Sequence, residues 1–384
     1  MLIKDFLRAF DSIVPLASAG YEKDAVGLQI GHEAGAELSK VLLAYEITNE
    51  VIDEAISMKA NLILCYHPLI FPSITSITDS SRTGALVRRL IENKIALYVI
   101  HTAFDSQPEF GTSAMMAAKL GLLNPKPVSS LSGLLEKIIV FVPGNVDIIN
   151  QVREAMWKAG AGNIGNYDEC SFTSEGFGTF RGNDKSNPTL GVAGVRETAG
   201  EVRIEMIAEK WKRPAIITEL LAAHPYEEVA YDIQPLTNGH PKFGMGTMGL
   251  LPNPMTPSDL LELVSTTFET SVLRYSKSNR KIRHVGMVGG SGMEYYSSVR
   301  KAGCDAFITG DIRYHDFYRA EHDGLLLIDA GHSETERFVL DGMQIAVEQA
   351  LNVVILQKED RHRLFARSLM RPNAVSYQIN KGLL

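Results

Sequence analysis

Four short stretches of this 384-residue chain combine histidines with carboxylates in ways that suit metal chemistry. They are YHP at 66–68, HTAFD at 101–105, GDIRYH at 310–315 and GHSETE at 331–336. His101 and Asp105 stand four apart, so a single helical turn directs both side chains inward. His332 and Glu336 have the same spacing and share one face if a helix begins near Ser333. Gly331 removes a side chain at the tight turn before it. Imidazoles and carboxylates suit Zn²⁺, Mn²⁺ or Fe²⁺, and these stretches contain no thiolate. Each residue also has a plainer reading. A lone histidine at a strand end, such as His67, is more often structural; Asp105 could cap a helix; Glu336 could pair with Arg337 or Lys301, and with Glu334 resembles a solvated helix face. What favours a metal site is the recurrence of the pattern at four strand ends.

The elements that must carry these residues can be read from periodicity. The start, MLIKDFLRAFDSIVPLA, reads as an amphipathic helix, without the continuous apolar stretch and cleavage site of a signal peptide. KVLLAYEI, NLILCYH and IALYVIHT read as strands, separated by the helices TNEVIDEAISMKA, with Thr48 near its cap, and SRTGALVRRLIENK. This alternation predicts a mainly parallel sheet flanked by helices. Ligands of such sheets gather beyond the carboxyl ends of the strands, where His67 and His101 fall. The last third repeats the rhythm through IRHVGMVGG, CDAFITG, LLLIDAGH and NVVIL. Between them, a strand, a turn and a helix lead into a glycine-rich stretch and then HPYEEVAYDIQPL. The expected organisation is an α/β domain formed by 1–132 and 240–384, with an α+β domain inserted at 133–239.

Bulk properties narrow the function classes. The net charge of −7 argues against a large nucleic-acid footprint, and 45% hydrophobic with 22% charged residues describes a globular chain. No apolar run of about twenty residues predicts a membrane span. Three widely spaced cysteines, Cys65, Cys170 and Cys304, suggest a reducing compartment, hence the cytoplasm.

Other motifs have weaker claims. GGSGMEYY at 289–296 lacks the spacing of dinucleotide or P-loop motifs; it reads as a tight turn or an anion contact. In AAHPYEEVAYDI, His224, Glu227 and Glu228 are more easily read as turn and strand than as ligands. RYSKSNRKIRH at 274–284 is a basic run that reads as a solvated strand approach, and no DNA-binding motif stands behind it.

Taken in order, AVGLQIG, HPLIF, HTAFD, FGTF, HPYEEVAYDI, GGSG, ITGDIRYHD and DAGHSETE resemble the NIF3-like dinuclear-metal family, also labelled type 2 homologues of GTP cyclohydrolase 1. The resemblance spans nearly the whole chain and matches the longer bacterial subtype. It implies a NIF3-like α/β fold with a ferredoxin-like inserted domain that serves assembly or regulation. It further implies one or two divalent metal ions per subunit held by His67, Asp105, His332 and Glu336, with Glu336 bridging. His101 and His315 would line the cavity as ligands, proton carriers or phosphate contacts. A toroidal homohexamer and hydrolysis of GTP, another nucleotide or a phosphoester by metal-activated water are also implied. The alternative is a non-catalytic metal-binding assembly or regulatory protein.

The chain departs from the family pattern twice. Tyr66 stands where the first histidine of the HHP motif is expected. Three outcomes stay open: a phenolate bound to a strongly Lewis-acidic ion such as Fe³⁺, a weakened or empty second site, or a local rearrangement. Cys65 shares a face with His67 only if the strand stays regular. Lys23-Asp24-Ala25 replaces the family's Trp-Asp-Asn before Val-Gly-Leu, which alters the cavity wall.

Overall fold

The computed structural model describes residues 1–21, 23–31, 35–353 and 365–367. They form two compact units, one built from Met1–Ser130 with Lys242–Leu384 and the other from Leu131–Pro241. The 354–356 part of the expected strand NVVIL lies outside the described residues, while Asn352 and Val353 close a helix.

The first unit contains a five-stranded and a six-stranded sheet. In the five-stranded sheet, Leu62–Cys65 lies between Val41–Ala44 and Ala96–Val99, parallel to both. All residues of these three strands are buried, the signature of a parallel core covered on both faces. Phe365–Arg367 extends this sheet in parallel beside Val41–Ala44, whereas Gly27–Ile30 joins the other edge antiparallel to Ala96–Val99. The helix Asn49–Ser57 begins where Thr48 accepts a hydrogen bond from the Val51 N–H, a cap typically worth ~1 kcal/mol.

The six-stranded sheet has a parallel centre formed by Ile282–Ser291, Ala306–Gly310 and Leu326–Asp329. Gly239–Met255 runs antiparallel beside one side of this centre, and Arg274–Tyr275 beside the other. Helix Ile3–Ile13 buries Ile3, Phe6, Ala9 and Phe10, a stripe of i, i+3 and i+4 positions, in one cluster with Met343, Ala346 and Val347 of helix Val339–Val353. Burying each phenylalanine contributes about 1.5–3 kcal/mol.

The second unit follows the order strand Leu135–Pro143, helix Val146–Lys158, strands Phe172–Arg181 and Arg196–Glu209, helix Arg213–Ala223 and strand Tyr231–Pro235. Its four-stranded sheet is antiparallel throughout, with Leu135–Pro143 and Arg196–Glu209 at the centre. This is the βαββαβ arrangement of ferredoxin-like units.

The α/β layering is present, but the expected mainly parallel architecture is corrected: the sheets are mixed, with parallel centres, antiparallel strands beside them at Gly27–Ile30, Gly239–Met255 and Arg274–Tyr275, and a wholly antiparallel inserted sheet. Periodicity identifies strands and the helices between them. It carries no information about which way an edge strand is laid down, and antiparallel pairing needs no helical crossover to reverse the chain.

Candidate metal centre

Three strand ends in the first unit deliver the site. Leu62–Cys65 ends in Tyr66 and His67, Ala96–Val99 runs into the helical turn His101–Asp105, and Leu326–Asp329 leads through Gly331 to the turn His332–Thr335. The His101 N–H donates to the Tyr66 carbonyl at 3.0 Å, which ties the first two ends together. Side chains of Tyr66, His67, His101, Asp105, His332 and Glu336 line one cavity of about 240 Å³.

Within it, His67, His332 and Glu336 offer ligand atoms that lie within 4.8 Å of one another. His332 Nε2 is 3.4 Å from Glu336 Oε1, and His67 Nε2 is 3.7 Å from Glu336 Oε2. Glu336 is only 4% exposed. Burial works against its charged form, but hydrogen bonding and charge from His332, the charge of His67 and the Tyr45 hydroxyl together hold its carboxyl below the usual range. Bonding to Glu336 raises the His332 imidazole to about 9, against the opposing effect of burial. Burial lowers the His67 imidazole. Two imidazoles around a buried anionic carboxylate form a nitrogen and oxygen donor set that fits a divalent ion of the Zn²⁺, Mn²⁺ or Fe²⁺ kind.

Asp105 stands beside this trio, outside it. Its Oδ1 accepts from the Tyr66 hydroxyl at 2.8 Å, and desolvation pushes the carboxyl up to about 6. Burial and the neighbouring charges of Asp105 and Glu336 push the Tyr66 phenol well up. His101 lies on the other flank, its ring centroid 5.7 Å from that of His67. His315 does not line this cavity: it is exposed on helix Tyr314–Asp323, with its ring against Tyr314. Cys65 is buried in the apolar cluster of Ile63, Leu97 and Val99 and also lies outside the lining. The glycine-rich GGSG turn has a local role here. Gly290 has φ of +65°, and a Cβ there would come within 2.4 Å of Glu336 Oε1.

The sequence profile of the Duf34/NIF3 (NGG1p interacting factor 3) family matches residues 1–361. The chain belongs to the Duf34/NIF3 family. It is 35% identical over 336 residues to the GTP cyclohydrolase 1 type 2 homolog of Halalkalibacterium halodurans, covering 87% of this chain and 89% of the relative. The Bacillus subtilis protein of the same name is 33% identical over 342 residues, covering 88% and 90%. The crystal structure of a Bacillus cereus protein related to NIF3 superposes with a TM-score of 0.80 at 34% identity, covering 96% of both chains.

Three side chains that bond to lining residues of this NIF3-family pocket escaped sequence reasoning as contributors. Asp311, within GDIRYH, places Oδ2 2.6 Å from His332 Nδ1 and has a left-handed φ of +55°. Asp24 places its two carboxylate oxygens 2.8 and 3.0 Å from His101 Nδ1 and also accepts from the Thr102 N–H and hydroxyl. Burial opposes its charge, but these bonds hold its carboxyl below the usual range; burial also opposes the His101 imidazolium, and the bond and charge of Asp24 with the charges of Asp105 and Glu336 raise it. Tyr45, one residue past strand Val41–Ala44 in a run that reads as plain core, donates to Glu336 Oε2 at 2.5 Å. The positions of Asp311 and Asp24 beside known motifs were a usable signal. Tyr45, 291 residues from Glu336, had none.

Proposed function

We propose that this protein is a metal-dependent hydrolase acting on GTP or another nucleotide or phosphoester. The observation that carries the reading is the convergence of His67, His332 and Glu336 beside a fourth polar group, His101, that is independently held by Asp24. His67, His332 and Glu336 would hold a divalent ion, which would supply Lewis acidity to the attacked group and to water.

The chain's own groups divide the remaining work. Asp311 engages His332 at Nδ1, which leaves Nε2 for the ion. Tyr45 and Tyr66 orient the carboxylates of Glu336 and Asp105. Asp24 engages His101 at Nδ1 and leaves Nε2 to accept or deliver a proton. The cavity, about 240 Å³, sits below the roughly 300–1,000 Å³ usual for whole ligands, so it suits the reacting portion of a nucleotide rather than all of it. The names of the Halalkalibacterium and Bacillus relatives, GTP cyclohydrolase 1 type 2 homolog, support GTP as a first substrate to try.

The test is to load the protein with Zn²⁺, Mn²⁺ or Fe²⁺ and incubate it with nucleotides and phosphoesters. Mass spectrometry of the products separates ring opening from phosphate release. Turnover that disappears in His332→Ala and Glu336→Ala is expected; no turnover with any of these metals, or turnover untouched by both substitutions, overturns the reading. A cytoplasmic homohexamer belongs to the same proposal, on the strength of the family resemblance, and light scattering of the purified protein measures its mass.

A further inference from the structure

We propose that this pocket takes one metal ion per chain, because the hydroxyl of Tyr66 fills the place between Asp105 and Glu336 where a second ion would sit. The inference rests on the metal-site reading above and deepens it.

The donors come first. His67, His332 and Glu336 form a group of three with mutually close ligand atoms, and no second such group of His, Cys, Asp or Glu exists among the described residues. Three protein donors are the minimum that catalytic zinc sites commonly use. Asp105 has no such company. What it has is Tyr66, whose hydroxyl lies 2.8 Å from Asp105 Oδ1 and 3.5 Å from Glu336 Oε1. The Thr112 hydroxyl donates to the same phenol oxygen at 3.4 Å. A hydroxyl hydrogen between two carboxylates does in part what a cation would do there: it places positive charge density between groups that otherwise repel.

The phenol is not a loose plug. Tyr66 is 1% exposed, its ring stacks on Tyr45 at 5.9 Å between centroids and meets Phe104 edge-on at 6.4 Å. Turning it out of the pocket would leave a void in a close-packed core. Tyr66 and His67 both line the cavity because the strand ends at Cys65 and the chain turns there, so alternation no longer separates neighbouring side chains. Residue 66 therefore decides the number of ions. An imidazole is shorter than a phenol, so histidine at this position would vacate the space between Asp105 and Glu336 and supply a nitrogen donor beside it.

The experiment strips the full-length protein with chelator, reloads it separately with Zn²⁺ and Mn²⁺, removes the excess and measures metal per chain by elemental analysis. One equivalent is expected for the wild type and two for Tyr66→His. In the Mn²⁺ samples, paramagnetic resonance should show an isolated ion in the wild type and a spin-coupled pair in the variant. Two equivalents or a coupled pair in the wild type overturn this inference and leave the metal-site reading intact. No bound metal overturns both. A correctly folded Tyr66→His that still takes one ion removes residue 66 as the determinant; if that variant does not fold, the wild-type count and spectrum decide.

Discussion

Asp311 and His332 meet through a carboxylate oxygen 2.6 Å from Nδ1, so the ring's other nitrogen is turned toward Glu336. With Nε2 on an ion, the carboxylate would hold the remaining ring proton on Nδ1; it also steadies the ring, at the cost of a left-handed backbone at Asp311. Asp311→Ala should weaken Zn²⁺ affinity roughly 10- to 100-fold, the usual loss when such a supporting group is removed. Because the Asp311 side chain is 54% exposed, the melting temperature of the metal-free protein should change little. Competition against a chromophoric chelator measures the first quantity and thermal unfolding the second.

Asp24 and His101 give a second such pair, this one with consequences for stability. The Asp24 side chain is 3% exposed and accepts from His101, Thr102 and the Ala25 N–H. Asp24→Ala strands those donors and should cost about 1–3 kcal/mol. The pH dependence follows from the lowered carboxyl, held down by His101 and Thr102 against burial. Its contribution is fully present above its unfolded pKa of about 4 and lost as pH falls through the lower folded value. Urea midpoints between neutral and strongly acid pH should therefore fall more steeply for the wild type than for Asp24→Asn.

The opposite slope is expected from Asp11. Burial pushes its carboxyl from 3.8 up to about 6, although the Tyr98 hydroxyl donates to it and works the other way. The folded protein thus binds this proton more tightly than the unfolded chain, and stability is lost as pH rises from about 4 through about 6. Asp11→Asn keeps an acceptor for Tyr98 and removes the charge. Relative to the wild type it should gain roughly 1–2 kcal/mol at pH 8, with the advantage absent at pH 4. Denaturant titrations at the two pH values check it.

Gly342 occupies helix Val339–Val353, where alanine is intrinsically better by about 1 kcal/mol. Here packing should win. A Cβ on Gly342 would come within 2.1 Å of the Phe110 carbonyl oxygen and 2.9 Å of the Phe104 ring. Relieving that overlap requires the backbone around Phe110 to move, so Gly342→Ala should lose about 1–3 kcal/mol in a urea melt. An unchanged or raised midpoint would show that this contact yields freely.

The local tier of this molecule was legible from residue order alone. Thr48 before an apolar-periodic run announces a capped helix, the apolar runs ending in Tyr66-His67 and His101 announce buried strands, and the ordered motifs identify the family. These features depend on neighbours within a few positions, where spacing determines which side chains share a face. The long-range tier was decided only by folding. Whether Gly27–Ile30 pairs parallel or antiparallel with Ala96–Val99 leaves no trace in its own four residues. The same is true of partnerships across the pocket: Tyr45 with Glu336, Tyr66 with Asp105, Asp311 with His332. A hydrogen bond between residues far apart in the chain depends on where packed sheets place their ends, and periodicity along one strand does not encode that placement.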